Sequence, residues 1–301
     1  MKVFLTGANG FIGGSVATAL IKTGFKVRGL TRSSEGAEHL KSFGVEPVLG
    51  DIDNTPLLIE EASRADIVFN TANADHLGAV QALITGLQGS GKVLIHTSGT
   101  IIMGDDARGD FCAAAIYAED SHLVIDPRKQ ARREIDLMVL DAAKLNIRSA
   151  VIAPSLIYGY GTATNKESIQ IPFLTRNAMQ ADAVQIVGKG LNTWSNLHID
   201  DLVDLYLLVA EKTKPGMLYF AENGEASFLD LASAIATRLG IEKIEHLNAD
   251  VAVEKWGMAR ALFTFGSNSR VRAVRARKDL GWNPRHDSAQ QWILSSMTVQ
   301  E

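Results

Sequence analysis

The chain opens with Met1-Lys2-Val3-Phe4-Leu5-Thr6-Gly7-Ala8-Asn9-Gly10-Phe11-Ile12-Gly13-Gly14. The apolar run from Val3 to Leu5 is typical of a buried parallel strand. Behind it, Ile12, Val16 and Leu20 recur every four residues, as on one face of a helix. A strand, a glycine-rich turn and a helix in this order predict the first half of a dinucleotide-binding βαβ unit.

Three glycines in the turn follow the spacing G-x-x-G-x-x-G, and each has its own physical role. Gly7 permits a tight turn, Gly10 lets a pyrophosphate approach the backbone, and Gly13 lets the helix pack close to the strand. The N-terminus of the helix then offers free N–H groups to phosphates. An ordinary glycine-rich turn is the alternative interpretation. The predicted cofactor contacts in this stretch are Gly7, Asn9, Gly10, Phe11, Ile12 and Gly13.

Length and composition restrict the class of protein. The 301 residues suffice for one large α/β domain or for a large and a small one. A net charge of −4 without a basic block argues against nucleic acid as a partner. No apolar run reaches the roughly 18 residues of a membrane span. The single cysteine, Cys112, favours a reducing compartment, and we expect a cytoplasmic protein.

The end of the second predicted strand, Lys26 to Thr31, bears on the choice of cofactor. An acidic residue about 20 positions after the glycine turn would accept from the ribose 2′-OH of NAD, but Thr31 stands there. Arg32 and Ser33 follow, and Arg28 precedes them. A guanidinium and a hydroxyl suit a 2′-phosphate. These residues favour NADP(H), unless the arginines are ordinary surface residues.

Other cofactor contacts are expected where strands end, because doubly wound sheets bind ligands at their carboxyl ends. Asp51 and Ile52 follow the third strand and suit an adenine ring, although Asp51 equally suits a helix cap. The predicted contacts outside the glycine turn are Arg32, Ser33, Asp51, Ile52, Thr71, Ala72, Thr97, Pro154 and Leu156.

Three hydroxyl groups are the candidates for catalysis. Ser98 and Thr100 follow the fifth strand, whose end is expected to reach the nicotinamide. Tyr117 lies in an irregular segment, 104–127, which we interpret as a substrate lid. Ordinary turn chemistry is the alternative for Ser98 and Thr100. Lys129 is interpreted as solvent-exposed, and we predict no metal site.

The strands and helices together predict an α/β fold with a doubly wound parallel Rossmann sheet and a small C-terminal α/β substrate-binding region. Residues 1–160 form the predicted dinucleotide-binding core, with its sheet completed by later strands at about 194–222. Residues 161–301 are mainly the substrate-binding and C-terminal region. An apolar stripe on the helix at 128–145 suits either the core or a homodimer interface.

The order of these motifs resembles the extended short-chain dehydrogenase/reductase superfamily, in its epimerase/dehydratase-like branch. The resemblance covers nearly the whole chain. It implies a Rossmann fold that binds a nicotinamide cofactor and a small-molecule substrate, and a structural role for Tyr158. A structural role is also favoured for His198, because a buried histidine is often simply hydrogen-bonded. The matching motifs are Thr6-Gly7-x-x-Gly10-x-x-Gly13, Gly50-Asp51, Thr97-Ser98, Pro154-x-x-Ile157-Tyr158-Gly159, Leu197-His198-Ile199-Asp200-Asp201 and Gly281-Trp282-x-Pro284.

One part of the family pattern is missing. Family enzymes carry a Y-x-x-x-K pair, in which the lysine lowers the pKa of the tyrosine. The residues four positions after the five tyrosines are Ser121, Thr162, Thr164, Ala210 and Asn223. Alignment with the family places Asp126 and Gln130 at the Tyr and Lys positions, and Gly99 at the position of the catalytic serine.

The resemblance and the missing pair together leave three functions open. The leading hypothesis is an NADP(H)-dependent oxidoreductase that acts on a small carbonyl or imine substrate with another proton donor. A non-catalytic regulator that senses NADP(H) would also lack the Tyr-Lys pair. A sugar-nucleotide epimerase or dehydratase is the third alternative, weakened by the missing base.

Overall fold

The first strand, turn and helix form the predicted βαβ unit. The computed structural model describes residues 1–299. In it, β1 spans Lys2–Thr6, α1 spans Phe11–Lys22 and β2 spans Lys26–Thr31. β1 and β2 are parallel neighbours, so α1 crosses from the end of one strand to the start of the next on one face of the sheet.

The central sheet has seven parallel strands. The remaining five are β3 (Glu46–Leu49), β4 (Ile67–Asn70), β5 (Val93–Thr97), β6 (Arg148–Pro154) and β10 (Met217–Ala221). The strand order is β10-β6-β5-β4-β1-β2-β3, and every neighbouring pair is parallel. The order reverses between β1 and β4, which leaves a crevice at the carboxyl ends of these strands. The predicted doubly wound Rossmann sheet is confirmed.

Helices cover both faces of this sheet. They are α2 (Ser34–Ser42), α3 (Thr55–Arg64), α4 (Leu77–Leu87), α5 (Gln130–Asp141) and α7 (Ile199–Lys212). α1 packs against α7, whereas α3 packs against α4 and α4 against α5. The predicted apolar stripe of α5 lies in the core, where Ile135 and Val139 are buried. These stripe residues therefore belong to the core, and a homodimer remains a prediction.

The C-terminal region builds two small sheets and its own helices. Its strands are β7 (Leu156–Tyr158), β8 (Val184–Val187), β9 (Thr193–His198), β11 (Glu225–Ser227) and β12 (Ile244–Leu247). Its helices are α6 (Gln170–Ala181), α8 (Phe228–Leu239), α9 (Ala249–Trp256), a π-helical segment (Ala259–Phe265), α10 (Val274–Leu280) and α11 (Ala289–Ser296). The small sheets have the orders β11-β9-β7 and β12-β8. A second hydrophobic core, separate from that of the central sheet, includes Trp194, Phe228 and Phe265.

The prediction that strands at about 194–222 complete the central sheet is right only for β10. β10 pairs with β6 and occupies the free edge of that strand. After Pro154 the chain leaves the sheet, and β9 pairs with β7 and β11 instead.

The segment from Gly104 to Asp126 contains no helix or strand, as predicted, but it is held against the rest of the protein. The Glu119 carboxylate accepts hydrogen bonds from the backbone N–H groups of Phe220 (3.1 Å) and Arg275 (3.2 Å). Asp105 accepts from the backbone and side chain of Asn268. Across residues 1–299, the helices are too short or too polar to cross a membrane.

Candidate active site

The glycine turn lies at one end of a crevice above the carboxyl ends of β1 and β2. Gly7 has a φ of +74°, which only glycine adopts without strain. A Cβ on Gly13 would lie 2.3 Å from the carbonyl oxygen of Gly7, whereas one on Gly10 would lie 3.1 Å from that same oxygen. Gly13 is therefore required for packing within the protein. A Cβ on Gly10 would press on that carbonyl oxygen alone, so that the backbone would have to shift slightly, and the rest of the space beside Gly10 is open to a ligand.

A first cavity of about 640 Å³ extends from this turn along the end of β2. Arg32 and Ser33 both line it, as the 2′-phosphate prediction requires, and so do Glu35 and His39. The other predicted cofactor contacts among its lining residues are Gly7, Asn9, Gly10, Ile52 and Ala72.

Polar groups in this cavity are only partly satisfied by the protein. Asn9 Nδ2 donates to Thr31 Oγ1 at 3.0 Å, while the buried Oδ1 of Asn9 has no partner among the described residues. The Ser33 hydroxyl accepts from the backbone N–H of Gly36 and caps α2. An unpaired buried acceptor is costly unless a ligand or water donates to it.

Arg28 is not available to a cofactor phosphate. It donates to both carboxylate oxygens of the buried Glu61, at 2.7 and 3.0 Å, and also pairs with Glu46. Asp51 is absent from the cavity lining. The backbone N–H of Asp53, which Asp51 Oδ1 accepts, lowers the pKa of Asp51, with a smaller effect from the charge of Arg32. Asp51 therefore stabilises the turn before α3, whereas the cap of that helix, the alternative weighed for Asp51 above, is Asn54.

A second cavity, of about 1070 Å³, shares Gly10 with the first. It runs from α1 past the ends of β5 and β6 towards the C-terminal region. The predicted site residues that it brings together are Gly10, Phe11, Ile12, Gly13, Thr71, Ser98, Thr100 and Pro154. Towards the C-terminal region the lining is mainly aromatic and apolar, with the charged residues Glu167 and Arg260 among them. The apolar residues there are Ile101, Ile169, Trp194, Trp256, Met258, Phe263 and Phe265.

Three more predicted site residues, besides Asp51, line neither cavity. Thr97 Oγ1 shares a buried hydrogen bond of 2.5 Å with the hydroxyl of Tyr206. Leu156 is buried in the second core. Tyr117 does not line the cavity because its backbone pairs with Val271 and its ring packs on the main core. The predicted lid position of Tyr117 is therefore corrected.

Thr100 lines the second cavity, but its hydroxyl group is hydrogen-bonded inside the protein. Its side chain is fully buried, and Oγ1 accepts from Ser269 Oγ at 2.9 Å. Of the three hydroxyls predicted for catalysis, Ser98 has the environment that differs most from ordinary turn chemistry, because its Oγ donates to the buried Asp136 at 2.9 Å.

Cationic side chains at the start of α5 also line this cavity. Arg132 donates to Asp75 through Nε at 2.6 Å and through Nη2. Its Nη1 lies 3.8 Å from where a Cβ on Gly99 would stand. Arg128 and Arg132 are four residues apart, and this helical spacing is the sequence signal that the analysis of single motifs missed.

Lys129 is buried rather than exposed. Its Nζ donates to the carbonyl oxygen of Gly104 at 2.8 Å and lies 5.1 Å from the centre of the Phe263 ring. Burial lowers the pKa of this ammonium to about 8, because removal from water disfavours the charged form. Lys129 is thus a group in the cavity that could exchange a proton near neutral pH.

A chain of buried polar side chains continues inward from Ser98. Asp136 Oδ1 stands 3.9 Å from His96 Nε2. His96 Nδ1 is 3.0 Å from Asn70 Nδ2, and Asn70 Oδ1 accepts from Thr6 Oγ1 at 2.7 Å. These residues come from β1, β4, β5 and α5, so their proximity depends on the folded sheet.

His198 lies outside both cavities and has a structural environment. Its Nδ1 accepts from the backbone N–H of Asp200 at the start of α7, and its ring stacks on that of His286 with the centroids 4.0 Å apart. His198, Asp200 and His286 have potential ligand atoms within 4.8 Å of one another. This cluster was not predicted.

Known protein families and curated relatives are similar to this chain over most of its length. The model of the NAD dependent epimerase/dehydratase family matches residues 3–219. "Oxidase ucsJ" of Acremonium sp is 32% identical over 94% of this chain and 92% of its own. The "4-hydroxy-2-methyl-3-oxo-4-farnesyl-3,4-dihydroquinoline-1-oxide ketoreductase" of Stigmatella aurantiaca is 24% identical over 74% of this chain and 69% of its own.

A solved structure supports the same architecture. The dTDP-glucose 4,6-dehydratase of Bacillus anthracis in complex with NAD superposes with a TM-score of 0.77 at 19% identity, covering 98% of this chain and 95% of that one. This likeness concerns the fold alone. The family match covers well over half of the chain and includes the glycine turn, the fifth strand and Ser98. The chain therefore belongs to the NAD dependent epimerase/dehydratase family.

Proposed function

We propose that the protein is an NADP(H)-dependent oxidoreductase that interconverts a small apolar carbonyl or imine compound and its reduced form. The observation that carries the proposal is the meeting of the two cavities at Gly10. A dinucleotide that follows them would begin at Arg32 and end beside Ser98 and Pro154. The reacting end would then face the aromatic wall of the second cavity.

The residues present fit such a cofactor. Gly10 leaves the backbone open to a pyrophosphate, and the unpartnered Oδ1 of Asn9 has room for a donor. Arg32 and Ser33 suit a 2′-phosphate, which favours NADP(H) over NAD(H). Glu35 in the same cavity opposes that charge, so the preference depends on Arg32. When bound, the nicotinamide supplies or accepts a hydride.

The substrate class follows from the wall opposite the cofactor. Apolar and aromatic lining with a few polar groups is typical of sites for small apolar ligands. The names of the two relatives, an oxidase and a ketoreductase of a farnesylated quinoline, support the same reaction class. Arg132, held by Asp75, is placed to polarise a substrate oxygen beside Ser98 and Gly99.

The missing Tyr-Lys pair favours one other function, that of a regulator which binds NADP(H) without turnover. Dialysed protein should be mixed with NADPH and a panel of aldehydes, ketones and imines, and the nicotinamide absorbance followed. We expect substrate-dependent oxidation, strongest with apolar ketones. NADPH binding without oxidation by any member of the panel would favour the regulator.

A location in the cytoplasm is also proposed, on the basis of the single and exposed Cys112.

A further inference from the structure

We infer that Asp136, with His96 behind it, holds the proton that Ser98 passes to the substrate oxygen. The inference rests on the proposed reduction of a carbonyl and gives that reaction the proton donor that the absent tyrosine would otherwise supply.

The position of Asp136 is unusual for a carboxyl group. Its side chain is fully buried, and Oδ2 accepts from Ser98 Oγ at 2.9 Å. Oδ1 has no hydrogen-bond partner among the described residues, and neither does His96 Nε2, which stands 3.9 Å away. A purely structural carboxylate would be expected to have both oxygens paired. When Asp136 is a carboxylic acid, its proton lies on Oδ2 and is donated to Ser98 Oγ, which frees the serine proton for the substrate, while Oδ1 faces His96.

The hydrogen bonds behind His96 determine which ring nitrogen carries its proton. Thr6 donates to Asn70 Oδ1, so the amide nitrogen of Asn70 faces His96 Nδ1 and donates to it. His96 is therefore neutral with its proton on Nε2, directed towards Asp136 Oδ1. The N–H group of His96 then stabilises the negative charge that Asp136 carries after it has given up its proton.

The charged groups around Asp136 act in opposite directions. His96 faces it from β5, Asp75 from the loop before α4, and Arg132 and Arg133 from α5 itself. Burial raises the pKa of Asp136 to about 6, while the hydrogen bond from Ser98 and the two arginines lower it and Asp75 raises it further. Burial also lowers the pKa of His96 to about 4. The carboxyl thus changes protonation near neutral pH while the imidazole stays neutral.

The proton transfers balance as follows. As the carbonyl carbon gains a hydride from the reduced nicotinamide, its π electron pair moves to oxygen, which takes the proton of Ser98 Oγ. Ser98 regains a proton from the carboxylic acid of Asp136, and a carboxylate remains. Solvent in the cavity restores that proton before the next reduction. In the oxidation direction the carboxylate accepts the proton that the substrate hydroxyl gives up.

A direct test follows the protonation of Asp136 in the protein without cofactor. The infrared band of a protonated carboxyl should titrate with a midpoint near pH 6, and it should be absent from the Asp136→Asn variant. The exposed Asp141 on the same helix, which pairs with Lys144, provides the control: Asp141→Asn should retain the band. A carboxyl that is already ionised at pH 4.5 would overturn the inference, even if no variant folds.

Kinetics supply the second readout. The kcat for reduction should fall as pH rises through about 6, and that for oxidation should rise. Asp136→Asn and Ser98→Ala should each lower kcat by about 10²-fold, the usual scale of acid–base catalysis. The KM and the Kd for NADPH should change little, and Asp141→Asn should behave as the wild type.

Failure of the relay and failure of the proposed function give different results. Wild-type turnover that Asp136→Asn retains, with an unchanged pH profile, would overturn the relay and leave the reductase intact. If kcat instead changes with a midpoint near pH 8, and if Lys129→Met abolishes turnover, the proton donor is Lys129 and not Asp136. NADPH binding by the wild type without turnover of any substrate would overturn both.

Discussion

At the residue scale, two arginines near the end of β2 have different functions. Arg28 neutralises the buried Glu61, which would otherwise leave an unpaired charge in the interior. Arg32 lines the first cavity and is free to meet a phosphate. From the sequence alone, both arginines are candidate phosphate ligands. Only the fold brings Glu61, which is 33 positions further along the chain, next to Arg28.

The first prediction separates these two arginines. Arg32→Ala should weaken NADPH binding by about 1–3 kcal/mol, the scale of a charge-assisted hydrogen bond, and should leave NADH binding nearly unchanged. Titration by nicotinamide fluorescence measures both. Arg28→Ala is the matched control and should lower the free energy of unfolding without changing the cofactor preference. Equal affinity of the wild type for NADPH and NADH would contradict the assignment of Arg32.

The second prediction concerns the pH dependence of stability. Between about pH 4 and pH 6 the folded protein keeps Asp136 protonated, while the unfolded chain, with the ordinary pKa of 3.8, ionises it. In the same range the folded protein keeps His96 neutral, while the unfolded chain, with the ordinary pKa of 6.5, protonates it. Relative to the unfolded chain, the folded protein binds one more proton at Asp136 and one fewer at His96. The two contributions to the pH dependence of the free energy of unfolding therefore nearly cancel.

Substitution of either residue should uncover the contribution of the other. In Asp136→Asn, the free energy of unfolding should fall as pH is lowered from 6.5 towards 4, by at most about 1.4 kcal/mol per pH unit. In His96→Gln it should fall as pH is raised from 4 towards 6. Urea unfolding at pH 4.5, 5.5 and 6.5 measures both slopes relative to the wild type. If the slope of the free energy of unfolding against pH, relative to the wild type, had the same sign in both variants, Asp136 and His96 could not change protonation in opposite directions on folding.

At the scale of single elements, the turn between β1 and α1 uses its glycines for different purposes. Gly13 allows α1 to approach the carbonyl of Gly7, so it stabilises the fold. The space beside Gly10 holds only the carbonyl oxygen of Gly7, and in the proposed function the pyrophosphate occupies that space.

The third prediction follows from this difference. Gly10→Val should abolish NADPH binding, because the branched side chain fills the space of the pyrophosphate. It should leave the circular dichroism spectrum close to that of the wild type and lower the melting temperature only slightly, because its Cβ presses on the carbonyl oxygen of Gly7 alone. Gly13→Ala should lower the melting temperature, since its Cβ overlaps Gly7. If Gly10→Val binds NADPH normally, the cofactor lies elsewhere.

Local patterns are what the sequence predicts well. The turn, the parallel strands and the helix bounds all depend on residues close in the chain. The acid–base group does not: Ser98 and Asp136 are 38 positions apart, and Arg132 and Asp75 are 57 apart. The predicted lid position of Tyr117 was wrong for a related reason. The irregular segment that contains Tyr117 is held by contacts with the C-terminal region, which the local sequence does not predict.

At the scale of the whole molecule, the second cavity is shared between two hydrophobic cores. The central sheet supplies the glycine turn and Ser98, while the C-terminal region supplies Trp194, Trp256 and Phe263. In the proposed function, the central sheet binds the cofactor and the C-terminal region binds the substrate.

The fourth prediction tests this division through Phe263, which is partly exposed and lies beneath Arg128 and Lys129. Phe263→Ala should raise the KM for a bulky aromatic ketone by about 10-fold, the cost of losing apolar contact with part of a ring, with little change for a small ketone. Steady-state kinetics with both substrates measures the ratio. Leu294→Ala, on the exposed face of α11, is the control, and equal KM changes for both ketones would refute the role of Phe263.

The strand order also has a consequence for biosynthesis. β6 is complete at residue 154, but its outer neighbour, β10, begins only at residue 217. During synthesis the backbone N–H and C=O groups along this edge stay without their partner until some sixty further residues have emerged, and an open edge invites pairing with another chain. A nascent chain arrested between these strands is therefore the species in which we expect aggregation, and the arrival of Met217–Ala221 is the event that ends that risk.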